Sequence, residues 1–278
     1  MYHGTQIPGF PRHPHRGFET VTISRYGLVD HSDSLGATAR FGNGDTQWMT
    51  AGRGIVHAEM FPLRSQDAPN PLDFFQVWLN LPQKNKFVEP HFTMMWDKTI
   101  PTHQIYDEGG REIVVRTIAG QLHSVPPAAP PPDSWASDPS SQLAIWTIDL
   151  APNAVWTLPA AAAGVNRALY IYGGDYTRLG QTAVPAGHRA TMRSDAPLRL
   201  EAGAQRSEIL LLQGRPIGEP IARHGPFVMN THDEIKQAYA DYRRTGFGGW
   251  PWRDDAPVHA RVKERFAIHA DGSEEQPS

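Results

Sequence analysis

The sequence predicts an all-β protein of the sandwich or barrel class. Gly and Pro each occur 25 times, and they separate short runs that are rich in Val, Ile, Thr, Trp and Phe. Such runs between turn residues are typical of strands, and many short strands in succession are typical of a sandwich or a barrel. The predicted strands are Phe18–Ser24, Phe74–Leu81, Arg111–Ile118, Gln142–Leu150, Ala168–Tyr172, Thr182–Val184, Leu198–Glu201 and Glu208–Gln213.

One segment near the C-terminal end predicts a helix, Thr231–Arg244. Thr231 and Glu234 have the spacing of a capping box, in which each side chain accepts a hydrogen bond from the other residue's backbone, and Gly246 follows the end. The predicted apolar stripe, at helical spacing, consists of Ile235, Ala238, Tyr239 and Tyr242.

A proline-rich segment, 126–132, divides the strand-rich sequence into two parts of similar size. Its composition, and that of the small polar residues after it, is typical of a semi-rigid linker or surface loop. The predicted organisation is a first domain at 1–120, a linker at 121–141, a second domain at 142–246 that includes helix 231–244, and a partly disordered tail at 247–278.

Charge and composition exclude several classes of function. The net charge is −3 and no block of basic residues occurs, which argues against direct nucleic-acid binding. Cysteine is absent, so there is no disulfide framework, thiolate zinc site or thiol nucleophile. No run approaches the ~18–20 apolar residues of a membrane span, and the first residues do not resemble a signal peptide. These features predict a cytoplasmic protein without a membrane partner.

Two short motifs predict a metal site, His-Pro-His at 13–15 and His-Ala-Glu at 57–59. Residues two apart in a strand point to the same side, so each motif can direct two side chains into one space. Imidazole nitrogens and a carboxylate form a complete donor set for a divalent transition metal. The candidate ligands are His13, His15, His57 and Glu59.

The surroundings of the two motifs favour this hypothesis over the alternative that these are ordinary histidines, of which the chain has 13. Pro14 makes the first motif stiff and extended. The second follows a flexible Gly-Arg-Gly turn at 52–54. If the first strand continues, Glu19 faces the same side as His15 and could orient an imidazole or act as a ligand. The spacing fits Fe(II), Ni, Mn, Cu or Zn and does not choose among them.

The two motifs lie within longer stretches, 13–21 and 44–60, that closely resemble the signature stretches of the pirin family. Segments 76–81 and 224–231 also look like pirin segments and occur in the expected order. The resemblance covers roughly 9–244.

Pirins belong to the cupin superfamily and consist of two tandem β-barrels, the first of which holds iron. The resemblance therefore implies a bicupin with a C-terminal helix, in which His13, His15, His57 and Glu59 bind Fe(II) and other divalent metals remain alternatives. Gln47, within the second stretch, is a further candidate near the ligands.

Two features depart from the family pattern. Pirins usually carry several dozen residues, including strands of the first barrel, before the His-Pro-His motif, whereas this sequence has twelve. We therefore expect an open strand edge near the metal. In the second half, His188 follows a cupin-like turn without a companion histidine, so the second barrel is expected to be metal-free.

The resemblance implies two functions. Some pirins resemble quercetin 2,3-dioxygenases, which open a flavonol ring with dioxygen. For such an enzyme, the substrate would be a small aromatic compound such as a flavonol, and Glu59 would be both a ligand and the base that takes its proton. Alternatively, like eukaryotic pirins, the chain would be a non-enzymatic, metal-dependent regulator that acts through a protein partner.

Overall fold

The computed structural model describes residues 6–277, which are mostly strand with one α-helix. The fold class predicted from the sequence is confirmed. The described residues form two compact units. One comprises the residues up to 98, 131–135 and those from 218 onward, and the other comprises 99–130 and 136–217.

The strands follow one another through both units. In chain order, the first unit begins with β1 (Gly9–His15), β2 (Phe18–Tyr26), β3 (Leu28–Asp33), β4 (Thr38–Gly42), β5 (Thr46–Thr50), β6 (Ile55–Met60), β7 (Asp73–Asn80) and β8 (His91–Met95). The second unit contains β9 (Thr102–Tyr106), β10 (Glu112–Ala119), β11 (Ala144–Leu150), β12 (Val155–Leu158), β13 (Asn166–Gly173), β14 (Tyr176–Leu179), β15 (Thr182–Pro185), β16 (His188–Met192), β17 (Leu198–Ala202) and β18 (Ser207–Gly214). The first unit ends with β19 (Ala222–His224), β20 (Phe227–Met229), α1 (His232–Thr245), β21 (Phe266–Ile268) and β22 (Glu274–Glu275).

The first unit contains a six-stranded sheet in the order β1-β6-β3-β4-β21-β22 and a four-stranded sheet in the order β7-β2-β5-β8. Alternate residues of these strands form a buried apolar cluster that includes Val29, Phe41, Met49 and Ile55. His57 and Glu59 continue the alternation of Ile55 along β6, so they face the same interior. The interior is therefore apolar in one part and polar in another.

The second unit contains a six-stranded sheet in the order β16-β13-β18-β11-β10-β9 and a four-stranded sheet in the order β12-β17-β14-β15. Its interior contains an apolar cluster that includes Trp146, Leu169, Ile171 and Leu211. His188, at the start of β16, is exposed at the surface.

The helix forms as predicted. Thr231 accepts a hydrogen bond from the Glu234 backbone and the reciprocal bond is present, while Gly246 ends the helix in the left-handed region at φ 57°. Ile235 and Ala238 are buried against a cluster that includes Phe227. Because this apolar face packs on β20, the helix belongs to the first unit, whereas the sequence assigned it to the second domain.

The unit boundaries differ from the prediction at two further places. Strands β9 and β10 belong to the second unit, because β10 pairs with β11. In contrast to the predicted partly disordered tail, the segment after 247 contains the paired strands β21 and β22. Strand β21 extends the six-stranded sheet of the first unit. There, Phe266, Ala267 and Ile268 pair with strand β4, so the far edge of β4 is covered.

Among residues 6–277, no helix has both the length and the apolar character needed to cross a membrane.

Candidate metal centre

Strands β1 and β6 bring together the three histidines that the sequence predicts as ligands. The strands are antiparallel, with His13 directly opposite His57. His15 lies two residues after His13 and so faces the same side. One ring nitrogen from each of the three histidines lies within 4.8 Å of the other two.

The geometry and hydrogen bonding of these imidazoles fit a bound ion. His57 is fully buried, yet within the described residues neither of its ring nitrogens has a hydrogen-bond partner. Buried polar atoms are normally paired, and the lone pair of one of these two nitrogens is free to bind an ion. The Nε2 atoms of His13 and His15 are 3.1 Å apart, close to the ~3 Å separation of two nitrogens that lie ~2.1 Å from one metal ion at a right angle.

The electrostatics of the site also suit metal binding, which requires neutral imidazoles. Burial, with a smaller contribution from neighbouring His13, lowers the pKa of His15 to about 3. Burial likewise holds the pKa of His57 well below its ordinary value, and the adjacent histidines add to the effect. Both rings are therefore uncharged at neutral pH and have a lone pair to donate.

A tightly held turn after His15 fixes the first motif. Gly17 has φ +83°, and a Cβ atom there would clash with the carbonyl of Val228, so only glycine fits. The buried Lys86 donates from Nζ to the carbonyls of Gly17 and Val228, at 2.8 and 3.0 Å, and to the Asn80 side chain at 2.7 Å. Burial lowers the pKa of Lys86 to about 8. This lysine ties the turn to two other segments of the unit.

Glu59, the fourth predicted ligand, faces the same interior as His57 but is held by other side chains. Its Oε2 accepts a hydrogen bond from Gln76 Nε2 at 2.7 Å, and its Oε1 accepts one from Thr22 at 3.3 Å. Gln76 Oε1 in turn accepts a bond from Trp78 Nε1 at 3.3 Å. A chain of polar contacts therefore runs from Trp78 to the Glu59 carboxylate.

Sequence reasoning missed a buried His–Asp pair beside the three histidines. His31 Nε2 lies 3.1 Å from Asp33 Oδ2, and both side chains are buried. Asp33 is directly opposite His57 across β3 and β6, and the rings of His31 and His57 are 5.5 Å apart. The signal was present in the sequence, since His31 and Asp33 form another pair with the i, i+2 spacing used for the ligands.

Gln76 and Trp78 were also missed as site residues. They alternate with Phe74 along β7, and Gln76 pairs with Thr22 of the interior face. The i, i+2, i+4 pattern could have indicated this shared face, but the sequence did not show that β7 lies next to β2.

Glu19 and Gln47 were both predicted to lie beside the metal ligands, but their positions differ. The prediction for Glu19 assumed a continuous strand, but β1 ends at His15 and β2 begins at Phe18. Glu19 accepts hydrogen bonds from Thr50 at 2.7 Å and Ser134 at 2.6 Å, so in contrast to the prediction it is not a partner of the histidines.

Gln47 lies opposite Thr22 and therefore faces the interior. Its Nε2 is buried and, within 6–277, has no hydrogen-bond partner. Its role beside the metal remains a prediction.

Comparison with known protein families identifies both halves of the chain. Residues 1–79 match the pirin family model, and residues 145–248 match the model of the pirin C-terminal cupin domain. The chain belongs to the pirin family. Human pirin is 34% identical over 89% of this chain and 80% of its own length. A Pseudomonas aeruginosa relative, provisionally named quercetin 2,3-dioxygenase, is 37% identical over 87% of this chain and 80% of its length.

Solved structures show the same fold. A crystal structure of quercetin 2,3-dioxygenase from Acinetobacter baumannii has a TM-score of 0.76 and 32% identity, over 89% of this chain and 82% of that chain. A bacterial pirin from Escherichia coli, solved in complex with nickel(II), has a TM-score of 0.52 and 20% identity over 77% of this chain and 78% of that chain. The latter likeness concerns the fold alone.

Proposed function

We propose that this pirin binds an iron ion through His13, His15, His57 and Glu59 and opens the ring of flavonols as a quercetin 2,3-dioxygenase. The observation that carries the proposal is the cluster of three histidines within 4.8 Å, with two orphan nitrogens on buried His57. When bound, the ion supplies Lewis-acid chemistry toward the oxygens of the flavonol. Cytoplasmic location is part of the same proposal.

Aromatic side chains beside the histidines suit a flat aromatic substrate. Trp78 is 49% exposed, and its ring lies 5.4 Å from the ring of His15 and 4.4 Å from that of Phe18. Phe10 is similarly exposed and lies 6.3 Å from the ring of His13. Rings of this kind stack on flat ligands and bury much apolar surface. We propose that Trp78 and Phe10 flank the flavonol at the entrance.

Glu59 is the proposed base for the flavonol hydroxyl. It is the carboxylate two residues from His57 on the same interior face, where a general base must lie to be within reach of the proton. The amide of Gln76 donates to one carboxylate oxygen, which fixes the direction in which the other oxygen points. Gln76 is thus a positioning residue for Glu59.

The test combines metal analysis with turnover. The protein is loaded with Fe(II), and oxygen uptake and the flavonol absorbance are followed for the wild type, His57→Ala and His188→Ala. His188 is the matched control because it is an exposed histidine of the second unit. We expect turnover in the wild type and His188→Ala. In His57→Ala, metal affinity should fall by more than roughly 10–100-fold, which is the loss expected when a residue that only hydrogen-bonds to a metal ligand is removed.

Two results would contradict the proposal at different levels. Stoichiometric iron without flavonol turnover would reject the enzyme and favour the alternative, a non-enzymatic metal-dependent regulator with a protein partner. An equal metal content in the wild type and His57→Ala would reject the ligand assignment itself.

A further inference from the structure

The second unit contains a pocket at one end of its apolar interior. The pocket has a volume of roughly 540 Å³, within the ~300–1,000 Å³ range of small-molecule sites. Leu122, Ala144 and Trp146 belong both to the buried cluster and to the lining of the pocket. The indole of Trp146 donates to the carbonyl of Gly120 at 3.1 Å, so its polar atom is satisfied and its ring is left for apolar contact.

Arg167 places a buried positive charge in the wall of this pocket. It alternates with Leu169 and Ile171 on β13 and therefore faces the interior of the unit. Only 2% of the residue is exposed. Burial lowers the pKa of its guanidinium, because the charged form is separated from water.

The guanidinium is held in place by neutral acceptors. Its Nε donates to Gln213 Oε1 at 2.7 Å, and its Nη1 donates to the carbonyl of Pro159 at 2.8 Å. Across the part of the chain that the structure describes, Arg167 has no carboxylate partner and Nη2 makes no hydrogen bond. A buried charge without a counter-ion is costly, so an anionic ligand that supplied the opposite charge would be stabilised here.

We propose that this pocket binds a small organic carboxylate with an apolar body. The carboxylate would accept hydrogen bonds from the guanidinium of Arg167, a geometry that arginine favours, and the apolar body would rest on Leu122 and Trp146. One acidic residue, Asp138, also lines the pocket, and its Oδ1 accepts bonds from the backbone and hydroxyl of Ser140 at 2.9 and 2.6 Å. Because Asp138 adds a negative charge to the lining, it would repel a phosphate dianion more strongly than a monoanion, so a monoanion is favoured.

The test titrates the full chain with three probes, phenylacetate, its neutral amide phenylacetamide, and inorganic phosphate, by calorimetry and ligand-observed NMR. The variants are Arg167→Met, which removes the buried charge at similar length, Arg167→Lys, which keeps the charge but not the planar fork, and Arg189→Met. Arg189 is the matched control, since it is an exposed arginine on β16 of the same unit. Thermal unfolding checks that each variant is folded.

We expect saturable binding of phenylacetate to the wild type and Arg189→Met. Phenylacetamide on the wild type, and phenylacetate on Arg167→Met, should each bind about tenfold more weakly or worse, the loss expected for a hydrogen bond to a charged group. The affinity of Arg167→Lys for phenylacetate should lie between that of the wild type and that of Arg167→Met.

Four outcomes would overturn the proposal. They are equal binding of the acid and the amide, unchanged binding to Arg167→Met, saturation by phosphate alone, and the absence of any saturable binding of phenylacetate. If Arg167→Met does not fold, the comparison of acid and amide on the wild type still decides, because it needs no variant.

Discussion

Glu19 is a buried carboxyl group whose ionisation should make the first unit less stable as the pH rises. Burial raises its pKa from an ordinary 4.5 to about 7, although hydrogen bonds from Ser134 and Thr50 partly oppose the rise. The folded state therefore holds the proton more tightly than the unfolded state does. The resulting stabilisation is complete below about pH 4.5 and is lost as the pH rises through about 7.

The magnitude follows from the pKa difference. Each pKa unit corresponds to about 1.4 kcal/mol, so a rise from 4.5 to about 7 corresponds to about 3 kcal/mol in the free energy of unfolding. Glu19→Gln is neutral at every pH and can keep the contacts to the hydroxyls of Thr50 and Ser134. Relative to this variant, the wild type should lose about 3 kcal/mol between about pH 4 and pH 8.

Urea unfolding, followed by tryptophan fluorescence at several pH values, measures this difference. The matched control is Glu264→Gln, which removes a carboxyl group from the same unit where the side chain is 84% exposed. Comparison with Glu19→Gln cancels the titration of other groups, including the buried histidines. If the wild type and Glu19→Gln change in parallel from about pH 4 to pH 8, the reasoning from burial is refuted.

Three further predictions concern positioning and stability. Gln76→Leu removes the hydrogen bond from Gln76 to the Glu59 carboxylate and should lower metal affinity or flavonol turnover by roughly 10–100-fold. Iron titration and steady-state kinetics would check this, and unchanged values would show that Gln76 does not position Glu59. Lys86→Met leaves three oxygen acceptors, two of them buried carbonyls, without their donor and should cost about 3 kcal/mol in the free energy of unfolding by urea. An unchanged midpoint would contradict the structural role. Arg40→Met leaves Asp30 buried without its ion-pair partner, so the free energy of unfolding should fall by about 3–5 kcal/mol. Arg40 also donates to the carbonyls of residues 259, 260 and 263. Limited proteolysis should therefore cut that segment faster than in the wild type.

Local patterns in the sequence were sufficient for the eight predicted strands and the helix, whereas others, among them β3, β4 and β8, were not predicted. Each predicted strand occurs in the structure within a few residues of its predicted bounds, and the helix begins after the cap at Thr231 and ends before Gly246. These features depend on turn residues, alternation and capping, all of which act between neighbours in the chain. The i, i+2 spacing also placed His13 beside His15, since it depends only on the geometry of one strand.

Local sequence patterns could not predict which distant segments pair with each other. Nothing in the sequence near Phe266 shows that it pairs with β4, or that helix α1 packs with the first unit. Glu19 illustrates the limit, because a turn at Gly17 separates it from the strand of His15 and its partners are Thr50 and Ser134. A single break in a strand changes which face each later residue occupies.

The sequence by itself determined which candidate metal donors this pirin carries, because three imidazoles and a carboxylate in two strand motifs are a property of residue type and spacing. Only the tertiary structure decided which groups meet. It set His13 opposite His57, joined Glu59 to Gln76 by a hydrogen bond, and buried Arg167 without a carboxylate partner among residues 6–277. The physical reason is that burial and strand register depend on contacts between residues far apart in the chain, and those contacts fix both the distances and the charge balance.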